Sequence, residues 1–114
     1  MKRALFIGRW QPLHPGHKWL FNQKLDQNIR ILIAVRDTPV DDSNPFTTDD
    51  VVSSLEKEYS NEVENGMVKI IPIPDIESIN YGRGVGYEIN EYVPPKDIGK
   101  ISATKIRENL KKDE

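Results

Sequence analysis

The only two histidines of this 114-residue chain, His14 and His17, fall in one short segment, Gly8-Arg9-Trp10-Gln11-Pro12-Leu13-His14-Pro15-Gly16-His17. An apolar run precedes the segment and a helical pattern follows it. Imidazoles and a guanidinium gathered at a strand-to-helix turn suit the stabilisation of charge developing on a transferring phosphoryl group. Gly8 and Gly16 let the backbone come close to a ligand. A helix start also presents unpaired N–H groups and partial positive charge to a phosphate. A second cluster, Ile101-Ser102-Ala103-Thr104-Lys105-Ile106-Arg107, repeats the theme with hydroxyls at a helix N-terminus and two basic side chains. Each cluster has a plainer reading. The first would be a capping histidine beside a surface one, the second a capped amphipathic helix with ordinary surface bases. A protein-held metal is disfavoured, because two histidines without a cysteine or a well-placed carboxylate fall short of the usual ligand set.

The elements that position these clusters are legible as apolar runs. Ala4–Ile7, Ile29–Val35 and Val68–Ile73 read as strands, with near-continuous apolar character that suits parallel strands covered on both faces. Pro72 belongs near a strand end, since it cannot donate to the ladder. Helical patterns cover His17–Gln27, with Trp19, Leu20, Phe21 and Leu25 turned inward, and Asp49–Tyr59, with Val51, Val52, Leu55 and Tyr59 on one face. Thr47 and Asp50 form a cap for the second of these. A last helix from Ser102 to about Lys112 would bury Ala103, Ile106 and Leu110. Between Pro74 and Lys100 the pattern breaks up around Asn80-Tyr81-Gly82-Arg83-Gly84-Val85-Gly86-Tyr87. The alternation of strands and helices predicts an α/β fold, a Rossmann-like doubly wound parallel sheet, as a single small domain over residues 1–114.

Composition narrows the function. Sixteen basic and 18 acidic residues give a net charge of −2, which argues against a general nucleic-acid binder. Cysteine is absent, so disulfides, thiolate catalysis and cysteine-ligated zinc are excluded. The apolar run after Met1-Lys2-Arg3 is too short for a signal peptide or a membrane span, which predicts a cytoplasmic protein without a membrane partner.

The first cluster resembles the opening signature of the nucleotidyltransferase superfamily with the His-x-Gly-His motif. The second is similar to that superfamily's Ile-Ser-x-Thr-x-Ile-Arg. Arg9 and Gln11, the segment Asn44-Pro45-Phe46-Thr47, and Ile71-Pro72-Ile73-Pro74-Asp75-Ile76 resemble the archaeal type of nicotinamide-mononucleotide adenylyltransferase. Trp10 stands where that type usually has Phe. The resemblance implies a Rossmann-like sheet and transfer of a nucleoside monophosphate from ATP to a phosphorylated small-molecule acceptor, releasing pyrophosphate without a covalent intermediate. It implies that His14, His17, Arg9 and Arg107 act on the reacting phosphates. Gly8, Arg9, Trp10, Gly16, His17, Ser102, Thr104 and Arg107 would hold the nucleotide. Mg²⁺ would be bound through the nucleotide phosphates, and a homo-oligomer is compatible with the family.

After Ile76 the chain departs from that type, in the stretch that seats acceptor and base. ATP and CTP therefore both stay open, since Ile-Ser-Ala-Thr-Lys-Ile also resembles glycerol-3-phosphate cytidylyltransferase. Arg36 and Arg83 are candidate contacts for the acceptor's phosphate. Arg36 reads equally as a surface arginine paired with Asp37, and the loop of Arg83 equally as a turn replacing a lost strand. Lys18 reads as a solvated helix lysine. Two other readings remain: a non-catalytic nucleotide-binding module, and one domain of a larger fused enzyme.

Overall fold

The three apolar runs form parallel strands: β1 (Ala4–Gly8), β2 (Ile31–Asp37) and β3 (Val68–Pro74). The computed structural model describes residues 2–83 and 86–95. The sheet order is β1-β2-β3, with Phe6 level with Ile33 and Ile33 with Ile70. Pro72 lies near the end of β3, which is an edge strand among the described residues, where a missing donor is tolerated.

Two helices make the crossovers, α1 (Pro15–Leu25) and α2 (Thr48–Glu58), with a one-turn extension, α3 (Ser60–Glu64). The first helix starts at Pro15, two residues before the expected His17, because proline fits the first helical position, where no backbone donor is needed. It also ends earlier, in a turn that puts Asn28 in the left-handed region (φ 60°) with its amide on the Leu25 carbonyl. Thr47 Oγ1 accepts from the Asp50 amide at 3.1 Å, the cap expected from the sequence. No apolar periodicity announced α3, and it buries no residue.

One face of the sheet carries the core. Ile31, Ile33 and Val35 alternate along β2 and are fully buried with Phe21, Leu55 and Val68, and Phe6 packs into the same cluster. Phe21 sits at the centre, its ring edge-on to Phe6, Trp10 and Tyr59 at 5.3, 4.9 and 5.9 Å. Phe21 is on α1 and Tyr59 caps α2, so both helices cover the same face; Lys18 and Glu58 bridge them at 2.6 Å. The expected second cover is not found among the described residues. Each crossover steps the same way, from β1 to β2 to β3, and right-handed crossovers then lay their helices on one side. Leu5, on the other face, is 56% exposed. The α/β class with a Rossmann-like parallel sheet holds. The final helix expected from Ser102 lies outside the described residues.

Because Phe21 joins both helices to the sheet, Phe21→Ala is expected to cost about 3–5 kcal/mol. Thermal unfolding followed by circular dichroism should show a midpoint lowered by well over ten degrees, of the order expected for a domain this size.

Candidate functional site

The turn after β1 is shaped by Trp10. Its backbone is left-handed (φ 54°), an uncommon state for a bulky residue, and the conformation folds the indole back into the core. Trp10 is 5% exposed and donates from Nε1 to the Ala34 carbonyl at 3.2 Å. The ring lies over Gly8 so closely that a Cβ there would stand 2.9 Å from two indole carbons. Gly8 is therefore fixed by packing against Trp10. Trp10 itself, expected to touch the nucleotide, has only its backbone left at the turn for such a contact.

The two histidines come together at the start of α1. His14 is the N-cap, with extended backbone, and its Nδ1 accepts from the Gly16 amide at 3.0 Å. That hydrogen bond assigns the neutral ring's proton to Nε2. The imidazole rings stack at 3.7 Å between centroids, 26° apart in plane, and the Trp10 indole meets His17 edge-on at 4.9 Å. His17 Nδ1 is buried without a hydrogen-bond partner. Burial, and secondarily the charge of the adjacent His14, lower the His17 pKa from 6.5 to about 3.

The open amides expected at this helix start are already used. Pro15 has no N–H, the Gly16 amide is taken by His14 Nδ1, and the His17 and Lys18 amides both reach the His14 carbonyl, at 2.9 and 3.2 Å. What the turn offers a phosphate is therefore mainly side-chain donors backed by the helix dipole.

Arg9 and the loop before α2 close one side. Arg9 Nη1 donates to Asn44 Oδ1 at 3.1 Å. Gln11 pairs in both directions with the Phe46 backbone, donating to its carbonyl and accepting from its amide, each at 2.9 Å. Gln11 and the Asn44–Thr47 segment, separate motifs in the sequence, thus touch in the fold; nothing in either segment encodes a contact 35 residues away.

Among the remaining candidates, Arg36 adjoins Arg9 through Asp75, whose carboxyl also feels the Arg9 charge. Arg36 is tied to Asp75, through Nε at 2.9 Å and Nη2 at 2.7 Å, instead of to Asp37. Asp75 is held below its usual pKa, first by that hydrogen bond, with desolvation opposing it. Asp37 accepts from Thr48 Oγ1 at 2.7 Å. Arg83 is exposed and makes no ion pair among the described residues. Ser102, Thr104 and Arg107 lie outside the described residues. Among those described, no group of three or more histidine, aspartate or glutamate side chains is arranged to hold a metal ion.

The chain also shows similarity to known proteins. The chain is 35% identical to the nicotinamide-nucleotide adenylyltransferase of Pyrococcus furiosus over 83 residues, which is 67% of this chain and 43% of that protein. It is 32% identical to the enzyme of the same name from Caldivirga maquilingensis over 101 residues, 86% of this chain and 55% of the relative. For Ignicoccus hospitalis the figures are 32% over 96 residues, 82% and 54%. Over most of its length the chain is similar to archaeal nicotinamide-nucleotide adenylyltransferases, which supports a cytidylyltransferase-like nucleotidyltransferase of that type. No family model matches it, and the chain spans about half the length of the curated relatives it matches. No helix among the described residues is long and apolar enough to cross a membrane.

The lowered pKa of His17 has a consequence for stability. The unfolded chain takes up a proton at this residue below pH 6.5, while the folded one resists until about pH 3. The stability that His17 contributes is therefore full above pH 6.5 and is lost progressively as the pH falls to about 3. Denaturant titrations at pH 7 and pH 4.5 should show this loss, and His17→Phe, which has nothing to protonate, should shrink the difference between the two.

Proposed function

We propose that the protein is an adenylyltransferase that moves the AMP portion of ATP onto the phosphate of nicotinamide mononucleotide and releases pyrophosphate. The stacked His14–His17 pair at the carboxyl end of β1 carries this reading, in a chain whose matched relatives bear the name nicotinamide-nucleotide adenylyltransferase. Ligands of open α/β sheets sit at that end of the strands.

An oxygen of the acceptor's phosphate attacks the α-phosphorus in line, forming the new P–O bond. The bond from that phosphorus to the bridging oxygen breaks, and its electron pair leaves on pyrophosphate. A phosphate is already anionic near neutral pH, so no side chain need remove a proton. The work left to the protein is positioning and charge stabilisation. Arg9 and the two imidazoles serve the phosphoryl oxygens. A neutral His17 can still do so by donating an N–H, and a bound triphosphate would favour its protonated form.

Ser102, Thr104 and Arg107 grip the β- and γ-phosphates in the reading that the family motif supports. Mg²⁺ would be carried on the triphosphate oxygens and not by protein side chains, and when bound it would supply further charge neutralisation. The second reading, CTP with glycerol 3-phosphate, draws on Ile101–Ile106 alone.

The test is pyrophosphate release from ATP and from CTP, with Mg²⁺, against nicotinamide mononucleotide, glycerol 3-phosphate, phosphopantetheine and choline phosphate. Release that needs ATP and nicotinamide mononucleotide together is the expected result. Nucleotide binding without turnover on any acceptor would favour a binding module, and no binding of either nucleotide would overturn the family-based reading of the site. In the active protein, His17→Ala that still folds should lose at least about a hundredfold in turnover, the scale for removing a transition-state donor.

A further inference from the structure

Gln11 is 3% exposed, yet it belongs to a loop at the mouth of the site. Its amide is used at both ends: Nε2 donates to the Phe46 carbonyl and Oε1 accepts from the Phe46 amide, each at 2.9 Å. This reciprocal pairing imitates the exchange between two strands, with a side chain standing in for one of them. Phe46 follows a tight turn built on Asp41, whose Oδ1 accepts from the amides of Ser43 and Asn44 at 2.8 and 2.7 Å and from Asn44 Nδ2 at 3.2 Å. Asn44, buried by this turn, presents Oδ1 to Arg9 Nη1. A continuous chain of bonds thus runs from Gln11 through Phe46 and the Asp41–Asn44 turn back to the guanidinium of Arg9.

We infer that Gln11 is a positioning residue for nucleotidyl transfer: it anchors the Asn44 turn against the histidine loop and so fixes the place of Arg9. The inference rests on the function proposed above. Either bond alone would leave the segment free to pivot; the two together fix its direction as well as its distance. A shift of about 1 Å in a charged group is enough to cost on the order of a hundredfold in rate. Gln11→Glu is the informative replacement, because it keeps the shape and the acceptor but loses the donor, and sets a carboxylate oxygen against the Phe46 carbonyl.

The experiment is a double-mutant cycle in the intact protein: Gln11→Ala and Gln11→Glu, each made with Arg9 present and in an Arg9→Ala background, with kcat and KM for the nucleotide measured throughout. Both Gln11 variants should lower kcat by about 10- to 100-fold and move KM by less than about threefold when Arg9 is present. In the Arg9→Ala background the same changes should cost less than about threefold in kcat, because the group they position is gone. Hydrogen exchange at the Phe46 amide supplies a readout independent of turnover and should accelerate in Gln11→Ala.

Equal losses with and without Arg9 would overturn the inference and make Gln11 a support of the fold alone. Unchanged kcat in folded variants would overturn it too. If Gln11→Ala does not fold, Gln11→Glu carries the cycle. Absence of nucleotidyl transfer in the unsubstituted protein would instead overturn the proposed function, and this inference with it, whatever the Phe46 amide shows.

Discussion

Burying an indole directly after a strand forces the chain to double back on itself, and the local structure of the site is organised around that manoeuvre. Trp10 pays for its left-handed backbone with a hydrogen bond to Ala34 and with close packing against Phe21. Its ring requires that position 8 carry no Cβ. It also lies edge-on to His17 and so helps to keep that imidazole away from water. The same residue therefore ties β1 to β2, shapes the turn and sets the dielectric surroundings of a candidate catalytic group.

Around that turn the two histidines divide the work. His14 spends one ring nitrogen on the backbone and so closes the helix start, while its other nitrogen carries the proton. His17 lies against it, desolvated and neutral. In the proposed reaction the described part of the site would meet a triphosphate with the two imidazoles and the Arg9 guanidinium, and the ligand's own charge would favour protonation of His17. Preorganised donors of that type need little rearrangement when charge moves during the reaction.

The sequence made the strands, the two main helices and the Thr47 cap readable, because each depends on a local pattern of apolar spacing or on one capping side chain. The histidine turn was readable for the same reason: its residues adjoin one another in the chain. Three features were not. The short α3 buries nothing, so it leaves no apolar periodicity. The pairing of Arg36 with Asp75 instead of Asp37 depends on the register of β2 against β3. The contacts of Arg9 and Gln11 with Asn44 and Phe46 appear only once the two loops are brought together at one end of the sheet. Open backbone donors at the helix start were a fair expectation from the motif, and they failed because His14 caps the helix itself.

That capping has a consequence for motion. A helix normally frays at its first turn at small cost, independently of ligands elsewhere in the fold. Here the fraying step and the release of an imidazole from its place in the site are one event, since both require the bond between Gly16 and His14 to break. The first turn of α1 and the His14 ring thus form a single cooperative opening unit. A ligand that engages the His14 ring holds the start of the helix closed, and occupancy of the site is recorded in how rarely that turn opens.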